Sequence, residues 1–143
     1  MAYGLHVLEE LPNFTAWAQR YASANYTMRE YLIVHALGLL VAVLSASVIS
    51  VNNHRVLTFI FFTFIFTPAV FFNVLFHAGA TVIFRVYCPG LITATCIYAP
   101  LFMAITYLAL RERLMTHRMA LTSFMVAGLV HAADLAHNVF KTF

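Results

Sequence analysis

Five histidines and three acids sit in apolar stretches that offer them no water: His6, His35, His77, His131 and His137, with Glu9, Glu10 and Asp134. His54 and His117 fall in polar connections and need no special reason. Ionisable groups inside apolar, lipid-type segments are costly and usually serve function. Their spacing suits one kind of chemistry. His6 stands i,i+3 from Glu9 and i,i+4 from Glu10, so either pair projects from one helix face. His131 and Asp134 are i,i+3, as are Asp134 and His137. Asn73 and His77 are i,i+4. Imidazoles mixed with carboxylates are the ligand set of zinc, iron or manganese, and not of copper(I) or an iron–sulfur cluster. Helical bundles that hold two metals use carboxylates with a Glu/His i,i+3 pair, a likeness of geometry, because the order here is His then Glu. The expected ligands are therefore His6, Glu9, Glu10, His35, His77, His131 and His137 around a divalent ion, zinc or iron, in a mononuclear or dinuclear site. Glu9 and Glu10 are the candidate catalytic acids. Asn73 and Asp134 are expected to orient ligands or substrate.

Each of these residues also has a plainer reading. A lone histidine in a membrane helix more often hydrogen-bonds to a neighbouring helix than binds a metal. Asn73 would serve equally as such a bond. Glu9 and Glu10 could form a solvated face if their helix lay at the membrane surface; inserted, both need a cation or a proton. The FIFFTFIF run is packing or lipid-facing surface. Cys88 and Cys96, eight apart, would be separated by about 12 Å of helical rise and cannot form a disulfide; they read as small apolar fillers.

The elements that must position these groups follow from composition. Of 143 residues, 63% are hydrophobic and only 9% charged, against about 25% charged in ordinary soluble domains. Four apolar stretches, at about 26–51, 56–84, 90–110 and 119–140, each reach the roughly 20 residues a bilayer crossing needs. Backbone groups in hydrocarbon must be satisfied internally, so these stretches are expected to be helices. The second is long and is expected to tilt or kink at Pro68. An amphipathic segment at 3–22 carries His6, Glu9 and Glu10, with Trp17 as a candidate interface anchor. The expected fold is all-α: residues 1–143 form one polytopic transmembrane helix bundle of four long spans plus an N-terminal helix, five helices in all. Short connections at 52–55, 87–89 and 111–118 imply antiparallel neighbours. That arrangement puts His35 and His77 at one depth, about 12 Å from the same membrane surface, with His131 at a comparable level. The net charge of +3 has no basic run interleaved with aromatics, which argues against nucleic-acid binding. The first thirteen residues have no basic leader and carry two acids, so no signal peptide is expected there.

Two blocks resemble a known family. His6-Val7-Leu8-Glu9-Glu10, with Pro12 shortly after, is one. Asn73 to His77, then Tyr87-Cys88-Pro89-Gly90, Thr93 and Pro100, is the other. Together they resemble the HXXEE-domain family of small bacterial membrane proteins, over roughly residues 4–110. The resemblance implies a polar centre of His6, Glu9, Glu10, Asn73 and His77, and an N-terminal helix inserted among the others. The C-terminal HAADLAH block is not part of that motif and rests on its spacing alone. The family is named for a motif, so the resemblance implies no reaction.

The expectation is an integral-membrane metalloenzyme, multi-pass in a bacterial inner membrane, acting by hydrolysis or oxidation on a small or lipid-like apolar substrate. Two rivals use the same residues. Intramembrane Glu and His also build proton or cation pathways, and a carrier of this size would work as a homo-oligomer. The third reading is a structural subunit whose polar groups hold helices together.

Overall fold

A computed structural model describes residues 1–52 and 54–140, apart from the side chains of residues 52 and 134–140. Among the described residues the chain is entirely helical, with six continuous helices: α1 Ala2–Glu10, α2 Phe14–Tyr21, α3 Met28–Asn52, α4 Arg55–Phe84, α5 Leu91–Arg111 and α6 His117–Phe140.

Two expectations need correction. The N-terminal segment is two short helices. Pro12 has no N–H to donate and disfavours helical geometry in the residue before it, so the chain turns at Leu11–Asn13 between α1 and α2. Among the described residues three helices, rather than four, are long and apolar enough to cross a membrane: Met28–Val51, Arg55–Phe84 and Leu91–Arg111. The fourth expected span is a helix of 24 residues, α6, but is not one of those three. The exposed side chains of α3, including Leu37, Leu40, Val43 and Leu44, are apolar almost throughout. A contiguous apolar surface of this kind suits lipid and would be a liability in water.

The sequence sets most helix ends. Thr27 and Glu30 form a capping box that starts α3. The Thr27 N–H donates to Glu30 Oε2 at 2.7 Å, and the Glu30 N–H donates to Thr27 Oγ1 at 3.2 Å. Arg85, at φ 54°, stops α4 in the left-handed region. The Thr116 hydroxyl accepts from the Met119 N–H at 3.2 Å at the start of α6.

α4 is the central element. It runs against α5: Thr58 and Phe62 lie beside Ile105 and Ala109, and Asn73 lies beside Tyr98. α6 lies parallel to α4. Thr63 bonds Ser123 at 2.8 Å across a fully buried contact, and Phe72 meets His131 two and a half turns further along. Lipid removes the hydrophobic drive for helices to associate, so buried polar contacts and close packing of this sort carry more of the weight. Phe62, Phe66, Val70 and Tyr98 form the core between α4 and α5. Pro68 lies inside α4. Its missing N–H and its ring are absorbed by a π-helical widening over Phe62–Phe72. Asn73 begins the regular α-helix after it and starts the turn that presents His77.

Trp17 is no exposed anchor. It is buried on α2 against Phe14, Tyr21, Phe76 and Phe84. This aromatic packing fixes α2 on the end of α4 and closes one side of the polar centre.

Candidate metal centre

Glu10 is the last residue of α1 and is 2% exposed. Three imidazoles from three helices turn their Nε2 atoms to its carboxylate. His6 lies one turn earlier on α1, its Nε2 3.4 Å from Oε1. His77, on α4, reaches the same oxygen at 3.1 Å. His35, on α3, meets the other oxygen, Oε2, at 3.0 Å. The Tyr31 hydroxyl stands 3.2 Å from Oε2. Among the described residues, His6, Glu10 and His77 offer ligand atoms that all lie within 4.8 Å of one another, and all three are buried.

The far nitrogen of each ring shows which way its proton lies. His35 Nδ1 is 2.8 Å from the Tyr31 carbonyl, which can only accept, so Nδ1 carries the hydrogen. His6 Nδ1 is 2.7 Å from Thr93 Oγ1. That hydroxyl gives its own proton to the Gly90 carbonyl at 3.2 Å, so His6 Nδ1 donates to Thr93. His77 Nδ1 is 3.3 Å from Cys88 Sγ, and the thiol is directed to the Pro89 carbonyl, which leaves the sulfur to accept. A ring that donates from Nδ1 has an Nε2 lone pair when neutral, which is the arrangement at His6 and His77, whereas His35 Nε2 lies at hydrogen-bond distance from Oε2. The buried Nε2 atoms of His6 and His77 are close to Glu10, yet they make no hydrogen bond. An anion ringed by lone pairs repels its neighbours unless positive charge stands among them. Metal-bound histidines are ordinarily held this way, with the second N–H donated to a carbonyl or hydroxyl.

Glu9 faces elsewhere. Successive helix residues point about 100° apart, so Glu9 leaves the imidazoles and caps α5. Its carboxylate accepts the Ile92 N–H at 3.0 Å and the Thr93 N–H at 2.7 Å, and the Tyr87 hydroxyl donates to it. These are the orphan donors of a helix start, where negative charge is also favoured by the dipole. Partial burial pushes the Glu9 carboxyl up, but the bonds from Thr93, Tyr87 and Ile92 prevail and hold it at about 2 against an ordinary 4.5. A folded value below the unfolded one stabilises the fold above the unfolded value and is lost on acidification. The melting temperature in detergent should therefore hold from pH 7 to about 5 and fall as pH drops from 4.5 towards 2. Glu9→Gln should make that acid limb shallower without abolishing it, because Glu10 also titrates below 4.5, and an unchanged limb would show that Glu9 contributes nothing to it.

The loop before α5 is built around the cluster. Gly90, at φ 101°, lies so close that a Cβ there would come within 2.5 Å of His77, 2.9 Å of His6 and 3.0 Å of the Glu10 side chain. Tyr87, Gly90 and Thr93 thus each touch or make room for a residue of the first block, and Cys88 touches His77. The sequence marked Tyr87, Gly90 and Thr93 by motif, but not what they do. Cys88, expected to be a filler, is fully buried beside His77. Burial, with Glu10 and Glu9 nearby, pushes its thiol up to about 12, so the sulfur keeps its proton.

The other expected site residues divide as follows. Asn73 lies one turn before His77 and lines the cavity beside the cluster, with a buried Oδ1 that has no hydrogen-bond partner. His131 lies on α6 against the Phe72 ring, with centroids 5.4 Å apart, and is not in the converging group. The side chains of Asp134 and His137 lie outside the described residues.

Two buried imidazoles and one carboxylate are the set that holds catalytic zinc with a position left for water. They are equally the two-His, one-carboxylate set of non-haem iron enzymes. No curated protein and no solved structure matches the chain. The model of a family described as proteins of unknown function with an HXXEE motif matches residues 1–105. With His6, Glu9 and Glu10 as that motif, and the match covering most of its length, the chain belongs to the HXXEE family.

Proposed function

We propose that this chain is a membrane-embedded metalloprotein of the bacterial cell membrane, in which His6 Nε2, His77 Nε2 and Glu10 Oε1 hold one zinc or iron ion. One observation carries the reading. Three rings set Nδ1 against a hydroxyl, a carbonyl or a thiol and turn Nε2 to one buried carboxylate, two of them without a hydrogen bond. His35, on the second oxygen of Glu10, orients the carboxylate and stands ready to take or give a proton beside the ion.

Bound zinc would acidify a water towards neutrality and support hydrolysis, and bound iron with O₂ would support oxidation. This chain's own residues supply the rest. Thr93, Cys88 and the Tyr31 carbonyl fix the rings. Gly90 leaves the space. The apolar walls exclude bulk water.

A second reading, a proton or cation pathway, is favoured by the 3.0 Å separation of His35 Nε2 and Glu10 Oε2, a hydrogen bond along which a proton could pass. Elemental analysis of the detergent-purified chain, after incubation with zinc or with iron(II), separates the two. The metal reading expects about one ion per chain, lost in His77→Ala. A wild-type chain that retains no metal, but carries Glu10-dependent proton flux in liposomes, would replace it with the second reading.

A further inference from the structure

Beside the cluster lies a cavity of about 580 Å³, within the roughly 300–1,000 Å³ of small-molecule sites. It runs between α3 and α4. On α3, Val34, Leu37, Gly38, Val41 and Ala42 line it as a stripe at helical spacing, about 12 Å long from end to end. On α4 its wall is the π-helical section with Phe61, Phe64 and Ile65 at one end and Asn73 at the other. Small residues on the facing helices, Gly38, Ala42 and Ala69, and the widening at Pro68 keep it from closing.

The cavity is amphipathic along its length. Tyr3, His6, His35, Asn73 and Tyr98 gather at one end, and the far end is aliphatic and aromatic. Among the described residues no Lys, Arg, Asp or Glu lines it, so a charged head group would be buried there without a partner, at high cost. The polar end holds two unanswered groups, His6 Nε2, assigned above to the ion, and Asn73 Oδ1. Asn73 Oδ1 is a buried acceptor with no hydrogen-bond partner. Such atoms are costly to leave unsatisfied, and a donor supplied by a ligand relieves the cost. The cavity wall includes His6 and His35, so a group held at Asn73 stands beside the imidazole–carboxylate cluster.

From this geometry we infer that the cavity binds an uncharged single-chain amphiphile, its apolar tail between α3 and α4 and its hydroxyl head donating to Asn73 Oδ1. A long-chain alcohol is the simplest member of that class. The tail enters from the bilayer, where such molecules partition, and α3 presents apolar side chains to lipid on its outer face. What happens at the head rests on the metal reading, because the open position of the ion is where the bound hydroxyl would be presented. Asn73 is then a substrate-binding residue.

The test is native mass spectrometry of the full detergent-solubilised chain with 1-dodecanol, dodecane and dodecanoate, metal-loaded and metal-stripped. The alcohol should bind one per chain about tenfold tighter than the alkane, the scale of one buried hydrogen bond. Asn73→Leu should bring the alcohol down to the alkane's level, and Ala42→Phe should abolish both. Asn73→Leu, close to isosteric, carries the test if Ala42→Phe does not fold. An alcohol no tighter than the alkane, or indifferent to Asn73→Leu, overturns the assignment, as does preference for dodecanoate in the stripped chain. Stoichiometric metal without alcohol preference would overturn the cavity assignment alone. Asn73-dependent alcohol binding in a chain that takes no metal would overturn the metal reading alone.

Discussion

Gly90→Ala should cost the protein both its fold stability and its metal centre, although Gly90 offers no side chain to either. Two effects add. At φ 101° an L-residue is strained, by about 1–2 kcal/mol in the left-handed region. The new Cβ would also fall 2.5 Å from His77 Cε1, 2.9 Å from His6 Cε1 and 3.0 Å from Glu10 Cγ. None of those atoms is the free end of a flexible chain. Each ring is tied by its Nδ1 to Cys88 or Thr93, so relief must come from moving the loop or breaking those bonds. Overpacking of a tight core costs about 1–3 kcal/mol, which brings the loss to roughly 2–5 kcal/mol. Gly79→Ala is the matched control, because a Cβ there meets nothing within 4 Å. On helix propensity alone it should change stability by no more than about 1 kcal/mol, in the stabilising direction. Thermal melts of both variants in detergent, with metal content measured alongside, check this. A Gly90→Ala protein with wild-type melting and metal would show that the loop yields freely, and that the cluster is looser than its distances indicate.

Gly90 also shows where sequence reasoning ends. The apolar stretches, their helicity and most of their boundaries follow from composition and hydrocarbon physics, and α3, α4 and α5 lie where 26–51, 56–84 and 90–110 placed them. What failed was local. Pro12 was noted, but the amphipathic pattern ran through it, and a pattern of polarity does not register one missing N–H. Composition does not show that Pro68 sits in a π-helical widening, where its missing N–H is absorbed. The candidate site divides in the same way. That His6, Glu10, His35 and His77 are unusual could be read from burial cost alone. That Glu9 turns away to the α5 N-terminus could not be, because two adjacent acids look alike until the partner helix is in place. The spacing of Cys88 to Cys96 says nothing of its role, since its partner, His77, stands eleven residues before it on α4.

Replacing Glu10 should have the largest effect of any single change at the cluster, and the choice of replacement separates the rival readings. Glu10→Ala removes the group that three Nε2 atoms and the Tyr31 hydroxyl face. Removing one partner of a buried charged assembly costs about 3–5 kcal/mol, and no other carboxylate replaces it, because Glu9 is committed to α5. Both readings expect this variant to be badly destabilised. Glu10→Gln keeps the shape and exchanges an anion for a neutral group with two N–H donors. If the three Nε2 atoms are lone pairs arranged for a cation, the carboxamide satisfies at least one of them directly. Glu10→Gln should then bind no metal, yet melt at or above the metal-stripped wild type, while falling below the metal-loaded wild type. The loaded protein gains about 4 kcal/mol when free metal exceeds its dissociation constant a thousandfold. If instead a protonated imidazole pairs with the carboxylate, Glu10→Gln loses that pair and gains little, so it should melt below the wild type with or without chelator. The order of three melting curves, loaded wild type, stripped wild type and Glu10→Gln, therefore decides whether the charge that balances Glu10 is a metal ion or a proton.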